Sequence, residues 1–166
     1  MNKDVILKID FEISQIDKLI DETKPLLQLA HNKTPDMVET AALGLFLHSF
    51  YNGVENIIKF IIKEKYGKLP SSYKWHKELL DLCFIRTNDQ NELFSESLKI
   101  ILDDYLSFRH FIRNTYSYRI KWERMEDLVL NIDKNWNNIK TEILVYLEQH
   151  RNSQTIEDKK TASTAN

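Results

Sequence analysis

The chain has 166 residues, of which 42% are hydrophobic and 29% are charged, with only three glycines and three prolines. This length suits one domain with a sizeable core, and the scarcity of turn-forming residues favours an all-α fold. The formal net charge of −2 excludes a protein coated in basic residues, so any contact with nucleic acid must be local.

The first predicted element is an amphipathic helix over residues 3–30. Its apolar seam has isoleucines at alternating steps of three and four positions, followed by a leucine: Ile6, Ile9, Ile13, Ile16, Ile20 and Leu27. Pro25 lies inside this pattern, and a proline removes a backbone donor and crowds the carbonyl four residues earlier. We therefore expect a kink or a break near residues 21–23.

The second helix is predicted to begin at the Thr-Pro-Asp sequence of residues 34–36. A hydroxyl cap, a proline at the first helical position and an acid in the first turn together indicate a helix start, with Thr34 as the cap. The helix should end near Tyr66, before Gly67. Its large apolar residues are spread over more than one face, which predicts the central helix of the domain.

The remaining elements are predicted by apolar spacing and by polar breaks. A short helix is expected from Tyr73 to about Phe84, followed by a polar loop over residues 86–91. A fourth helix is predicted over residues 92–115, and a last long helix from Met125 to about Gln149. These elements form an up-and-down bundle of four long helices with a short extra helix.

The last sixteen residues differ in composition from the rest of the chain. Beyond Arg151 they contain one large aliphatic side chain and show no periodicity. Such a segment cannot bury enough apolar surface to order itself. We expect a helical domain over residues 1–150 and a disordered tail over residues 151–166.

Candidate functional residues concentrate in residues 108–118. If this segment is helical throughout, two stripes lie side by side, each within roughly a 60° arc: Arg109, Arg113 and Tyr116 on one, and His110, Asn114 and Ser117 on the other. Two guanidinium groups and a phenol on one face suit a phosphodiester, because the planar guanidinium fork matches phosphate oxygens. An apolar stripe borders this face, so we expect Arg109 to lie half in and half out of the core.

The order of residues from Arg109 to Tyr116 resembles the Arg-x4-His-x-Tyr motif of HEPN-domain proteins, with Asn114 in the place of the histidine. It is most similar to the HepT-like branch, found in bacterial toxin–antitoxin or defence pairs. Three further segments resemble that branch: Phe-Tyr-Asn-Gly-Val-Glu at 50–55, Trp-His-Lys-Glu-Leu-Leu at 75–80, and the run at 118–124. The resemblance covers most of the chain between residues 40 and 130 and implies a HEPN-like helical bundle.

The resemblance also implies an activity and partners. Members of this branch pair through the motif helix into a homodimer and cleave RNA without metal or other cofactor, by attack of the RNA's own 2′-hydroxyl. A minimal nucleotidyltransferase acts as the antitoxin, in some systems by attaching AMP to the motif tyrosine. Carried over, Arg109 holds the scissile phosphate, Arg113 and Tyr116 contact the RNA, and Tyr116 is the candidate for modification.

Asn114 departs from the motif at the position of the general base or acid. An amide cannot accept and return a proton near neutral pH, so Asn114 can orient a phosphate but cannot act as a base. In one account, His110 serves as the base across a dimer cleft, with Arg109 and Asn114 as the other catalytic residues. In the other, the protein is a non-catalytic binding or antitoxin-like subunit of a nucleotidyltransferase. A third possibility, a helical adaptor with no nucleic-acid role, would be favoured by a motif face buried in the monomer core.

Several of these residues also have purely structural interpretations. Arginines near a helix end can bond to carboxylates or to last-turn carbonyls, and Asn114 can satisfy last-turn groups. Tyr116 can pack at the helix end, and His76 is expected to be packed or capping and not a ligand. Glu55 lies on the most apolar helix, so its burial requires a partner, and a bridge to Arg109 or Arg113 would orient the site without doing chemistry.

Other features bear on location and on metal chemistry. The amino terminus has no continuous apolar segment typical of a signal peptide, and no apolar run approaches the roughly 18 residues of a membrane span. A single cysteine, Cys83, excludes an intramolecular disulfide and a thiolate zinc cluster. The histidines at 31, 48 and 150 have no metal-ligand spacing and receive no role. We expect a cytoplasmic protein with no membrane contact.

Overall fold

The computed structural model describes residues 1–87 and 91–164, with side chains described up to His150. These residues form helices and no strand. The six α-helices are α1 (Lys3–Asn32), α2 (Met37–Tyr66), α3 (Trp75–Asp81), α4 (Glu96–Arg113), α5 (Glu126–Leu130) and α6 (Ile132–Thr164). Short 3₁₀ turns cover Leu82–Phe84, Ser117–Arg119 and Trp122–Arg124. The predicted all-α bundle of four long helices with a short extra helix is confirmed, and α5 is a second short helix.

Helix α2 is the centre of the bundle, as predicted, and contacts α1, α3, α4 and α5. Two of its glycines allow the close approach of neighbouring segments. A Cβ atom on Gly53 would lie 2.7 Å from Cγ1 of Ile16 on α1, and one on Gly44 would lie 2.8 Å from Cδ1 of Ile112 on α4. The missing side chains therefore let α1 and α4 pack directly on the α2 backbone.

The start of α2 is capped by Asp36, and the prediction of Thr34 as the cap is wrong. Asp36 Oδ1 accepts a hydrogen bond from the Glu39 backbone N–H, and Glu39 Oε2 accepts one from the Asp36 N–H. This reciprocal pair satisfies two free amides at once, which a threonine two residues earlier cannot do. The predicted end is confirmed, because Gly67 has φ 72° and terminates the helix after Tyr66.

Of the kink or break predicted near residues 21–23, the break is wrong, because helix α1 is continuous through Pro25. Pro25 is exposed, and so is Asp21, whose carbonyl loses its helical partner. Water can hydrogen-bond to a carbonyl on this face. The buried side chains of Ile20 and Leu27 hold the helix against the core on either side of the proline.

The predicted last helix is interrupted, and the reason lies at Asn131. Its backbone N–H and its side-chain Nδ2 both donate to the Asp127 carbonyl, at 3.2 and 2.9 Å. These bonds close α5 after Leu130, and α6 begins at Ile132. Val129 and Ile132, on either side of the break, are both buried, so the apolar spacing continues across it.

Helix α4 begins at Glu96 and ends at Arg113, so the predicted range of 92–115 is too long at both ends. At its start, the Ser95 backbone N–H and hydroxyl donate to the two carboxylate oxygens of Glu142 on α6, at 2.7 and 2.6 Å. These bonds hold Ser95 in an extended conformation just before the helix. The short predicted helix at 73–84 is α3 followed by a 3₁₀ turn.

The core beneath α4 is aromatic. The ring of Phe50 on α2 lies 5.0 Å from that of Tyr105 on α4 and 5.9 Å from that of Trp136 on α6. The Tyr105 hydroxyl donates to the Leu128 carbonyl at 3.0 Å and accepts from Asn135 Nδ2 at 3.1 Å. These contacts fix the position of α4 relative to α2, which carries the partners of Arg109.

The predicted loop at 86–91 includes residues 88–90, which lie outside the described residues. Helix α6 runs to Thr164, so the predicted end of the last helix near Gln149 is wrong. Side chains beyond His150 are not described, and the division of the chain at residue 150 stays a prediction. Over the part of the chain that the structure covers, none of the helices combines the length and the apolar character that a membrane crossing needs.

Candidate functional site at the end of α4

Arg109 lies in the last turns of α4 and is turned into the protein. It is 7% exposed, so the expectation that it lies half in and half out of the core is wrong. Its Nε donates to Asn52 Oδ1 at 2.8 Å, and its Nη2 lies 3.6 Å from Glu55 Oε1. Both partners are on α2, and the predicted bridge between Glu55 and Arg109 is confirmed.

His76 on α3 completes this contact, and its neighbours fix its tautomer. Its Nε2 lies 3.3 Å from Arg109 Nη1 and its Nδ1 lies 2.5 Å from Glu55 Oε2. Because a guanidinium group only donates, Nε2 must accept, and Nδ1 carries the hydrogen that it donates to the carboxylate. Burial lowers the pKa of His76, and the charge of Arg109 adds to this effect while Glu55 opposes it. His76 is therefore a neutral, packed histidine, as the sequence predicted.

Glu55 is the anionic centre of this cluster and is only 2% exposed. Burial raises its pKa, but hydrogen bonds from Lys59 and His76 and the charge of Arg109 outweigh burial, so the pKa lies below its ordinary value. Lys59 Nζ lies 2.9 Å from Oε1, the oxygen that also faces Arg109. Glu55 is thus a charged carboxylate with three partners.

The cluster extends along α2 to two residues that sequence analysis missed. Asn52 Nδ2 donates to His48 Nε2 at 3.0 Å, while Asn52 Oδ1 accepts from Arg109. Burial lowers the pKa of His48, and the charges of Arg109 and Arg113 lower it further. A signal was present, because residues 48, 52, 55 and 59 form a polar stripe at steps of four, three and four on the most apolar helix. We call His48, Asn52, Glu55, Lys59, His76 and Arg109 the buried network.

His110 lies at the outer edge of the buried network and is exposed. Its ring centroid is 5.4 Å from that of His76, with the rings nearly perpendicular at 78°. Partial burial lowers the pKa of His110, and the positive charges of Arg109 and Arg113 lower it further. His110 is therefore an accessible imidazole that is uncharged near neutral pH and can accept a proton.

Asn114 terminates α4 and bonds to a last-turn group, as its structural interpretation predicted. Its Nδ2 donates to the His110 carbonyl at 2.9 Å, and its backbone (φ −115°, ψ 12°) leaves the helix. The prediction that Tyr116 and Ser117 continue the two helical stripes is wrong, because the chain is extended at Tyr116 (φ −77°, ψ 146°). Arg113, Asn114 and Tyr116 are all exposed.

The motif is thus divided between core and surface. Arg109 belongs to the buried network, and we call the exposed residues His110, Arg113, Asn114 and Tyr116 the motif rim. The burial that would favour a plain adaptor applies to Arg109 alone. Among the described residues, no group of three or more His, Cys, Asp or Glu side chains could hold a metal ion.

Comparison with protein-family models gives a match over residues 42–150 to the family described as HepT-like protein. This range is about two thirds of the chain and includes all of the buried network and the motif rim. No significant match was found among curated proteins or among solved structures.

Proposed function

The chain belongs to the HepT-like protein family, and from this premise we propose that it is the toxin of a toxin–antitoxin or defence pair, a metal-independent endoribonuclease that acts as a homodimer. The observation that carries the proposal is the position of His110. It is the one exposed histidine of the motif helix, its pKa is lowered, and it adjoins a fixed guanidinium group. These properties suit a general base for attack by a ribose hydroxyl.

In the proposed reaction His110 takes the proton from the RNA 2′-hydroxyl. The 2′-oxygen then bonds to phosphorus, the bond from phosphorus to the 5′-oxygen breaks, and water protonates the leaving 5′-oxygen. The products carry a 2′,3′-cyclic phosphate and a 5′-hydroxyl. No step is assigned to a metal, because in this proposal His110 is the base and Arg113 supplies the positive charge at the phosphate.

The two motif arginines take different roles in this proposal. The exposed Arg113 contacts the phosphate, and Asn114 offers its amide beside it. Arg109 already donates to Asn52 and His76 and faces Glu55. It acts as a positioning residue and as a fixed positive charge that keeps the neighbouring His110 neutral and stabilises negative charge in the transition state.

A homodimer through α4 gives this surface its opposing wall. A single protomer presents His110, Arg113 and Asn114 at the open end of a helix. A two-fold interface brings the same patch of both copies together. Two local groups of cations then flank one cleft, which explains how a chain of net charge −2 can hold RNA.

The proposed partner is a minimal nucleotidyltransferase antitoxin that acts on Tyr116. The Tyr116 side chain is 69% exposed and lies two residues beyond Asn114. Its phenol oxygen would attack the α-phosphate of ATP, forming an AMP ester with release of pyrophosphate and a proton. The bulky, charged AMP group would then obstruct the motif rim.

A second candidate function is a non-catalytic binding or antitoxin-like subunit of the nucleotidyltransferase. Two observations favour it. Asn114 lies where the motif has histidine, and its Nδ2 donates a hydrogen bond to the His110 carbonyl. Arg109, the family's phosphate ligand, is engaged inside the protein by Glu55.

Incubation of the purified protein with total RNA, with and without EDTA, separates the two candidates. The nuclease proposal predicts cleavage that survives chelation and leaves 2′,3′-cyclic phosphate ends. Binding of the nucleotidyltransferase without cleavage at any protein concentration would instead support the second candidate.

A further inference from the structure

Tyr116 and Tyr118 are exposed aromatic residues with an ordered relationship. Their side chains are 69% and 62% exposed, although tyrosine rings usually pack against apolar neighbours. The ring centroids are 5.8 Å apart and the planes differ by only 16°, which is an offset stack. In such a stack each ring keeps one face that its neighbour does not cover.

The backbone holds this ring pair in place. The Arg119 N–H donates to the Tyr116 carbonyl at 2.9 Å, and the Ile120 N–H donates to the Ser117 carbonyl at 3.1 Å, closing a 3₁₀ turn. Ile120 is buried, and its side chain lies against the bare backbone of Gly44 on α2. The rings are therefore presented on a turn anchored to the core, which reduces the entropy lost when a ligand binds.

The surroundings of the ring pair are cationic. Residues 109–124 contain five arginines or lysines and one glutamate. The Arg119 guanidinium lies 5.7 Å from the Tyr118 ring centroid. In the portion of the chain that is described, the ion pairs include none of Arg113, Arg119 and Lys121. These charges are available to anionic groups of a ligand.

We propose that Tyr116 and Tyr118 form a nucleobase-stacking platform for single-stranded RNA, with Arg113, Arg119 and Lys121 binding the flanking phosphates. This inference rests on the proposed function and specifies the substrate as single-stranded. Unpaired bases expose the faces that stack on aromatic side chains, whereas the bases of a duplex already stack on each other.

The composition of this surface favours RNA over a protein partner. Between residues 113 and 124 the two tyrosines are the only large hydrophobic side chains that are exposed, since Ile120 and Trp122 are buried. Protein interfaces have an apolar core from which charged residues are depleted. Here Arg119 lies 5.7 Å from the Tyr118 ring, and Arg113 and Lys121 are close in sequence, a combination of aromatic and cationic side chains typical of single-strand binding surfaces.

The test is fluorescence anisotropy with a labelled, 2′-O-methylated single-stranded RNA in EDTA, because the methyl groups block cleavage. The variants Tyr116→Ala and Tyr118→Ala should each bind this RNA roughly 5- to 100-fold more weakly than the wild type. Tyr118→Phe keeps the ring and should bind as the wild type does. Tyr73→Ala is the matched control, since Tyr73 is 89% exposed with Lys74 Nζ 5.4 Å from its ring centroid. It should have no effect.

The platform is wrong if Tyr116→Ala and Tyr118→Ala bind the single strand as the wild type does. It is also wrong if the two substitutions weaken binding of a duplex RNA as much as binding of the single strand. The same variants separate this failure from that of the proposed function. Cleavage of RNA that is indifferent to both tyrosines would overturn the platform alone. Tyrosine-dependent binding by a wild-type protein that never cleaves RNA would overturn the nuclease and support the platform.

Discussion

Arg109 on α4 and Glu55 on α2 face each other in the interior, with 3.6 Å between Nη2 and Oε1 and less than one tenth of either side chain exposed. Burying two charges has a large desolvation cost, which their mutual attraction offsets. Removal of one partner leaves the other charge buried and uncompensated, and this destabilises the protein more than replacement of both partners does. This contact joins the motif helix to the central helix, and the first prediction addresses it.

Arg109→Met should lower the free energy of unfolding by about 3 kcal/mol, because Glu55 stays charged and buried with one partner fewer. Arg113→Met is the control, since Arg113 is exposed, and should change stability by less than about 0.5 kcal/mol. Urea denaturation measures both. The double variant Arg109→Met, Glu55→Gln should recover much of the lost stability. Equal losses in Arg109→Met and Arg113→Met would contradict the account.

The pKa values of His48, His76 and His110 are all lowered in the folded protein. The unfolded chain therefore takes up protons first as the pH falls below about 6.5, so stability is full above that pH and declines below it. Urea midpoints between pH 8 and pH 5 should show this decline.

The variant His76→Gln isolates the contribution of the buried histidine. A glutamine can donate to Glu55 and accept from Arg109 but does not titrate, so stability should fall less steeply with pH than in the wild type. His31→Gln changes an exposed histidine of α1 outside the buried network and is the matched substitution control. An identical slope in His76→Gln and wild type would show that His76 does not contribute.

Gly53→Ala tests the close contact of α1 and α2. The added Cβ would lie 2.7 Å from Cγ1 of Ile16, a buried side chain whose branched Cβ restricts its rotamers. Overpacking of this kind costs about 1–3 kcal/mol, which exceeds the gain in helix propensity of up to about 1 kcal/mol. Thermal or urea unfolding should show a net loss, and the loss should disappear when the same change is made in an Ile16→Ala background. A stabilised single variant would contradict the packing.

The pH dependence of RNA cleavage should report the lowered pKa of His110. The rate should rise with pH, with a midpoint below the ordinary histidine value of about 6.5, because the neutral imidazole is the active form. Since Arg113 contributes to the lowering, Arg113→Gln should move the midpoint to higher pH. Lys134→Gln, an exposed cation of α6, should leave the midpoint in place. A midpoint that Arg113→Gln leaves unchanged would contradict the assigned role of His110.

Much of the bundle was predictable because the spacing of apolar residues reflects which side chains are buried, and the helices do bury those side chains. The Glu55–Arg109 bridge also followed, because an acid on the most apolar helix needs a cationic partner. The ends of α4 and of α5 were missed. Hydrogen bonds from or to the side chains of Glu142, Asn114 and Asn131 determine these ends, and helical spacing does not indicate such bonds.

The division of the motif into core and rim was also missed. Helical spacing places Arg109 and Arg113 one turn apart on similar faces, but it does not indicate which residue finds partners on another helix. Asn52 and His76 lie 57 and 33 positions from Arg109 in the chain, so only the packing of α2, α3 and α4 brings them to its guanidinium.

Cleavage of a labelled single-stranded RNA by His110→Ala, compared with His31→Ala and wild type in EDTA, tests the central claim most directly. The account predicts that wild type and His31→Ala cleave at equal rates, and that His110→Ala loses at least about 100-fold in rate, the usual contribution of a general base, while remaining folded. Cleavage by His110→Ala at the wild-type rate would contradict it.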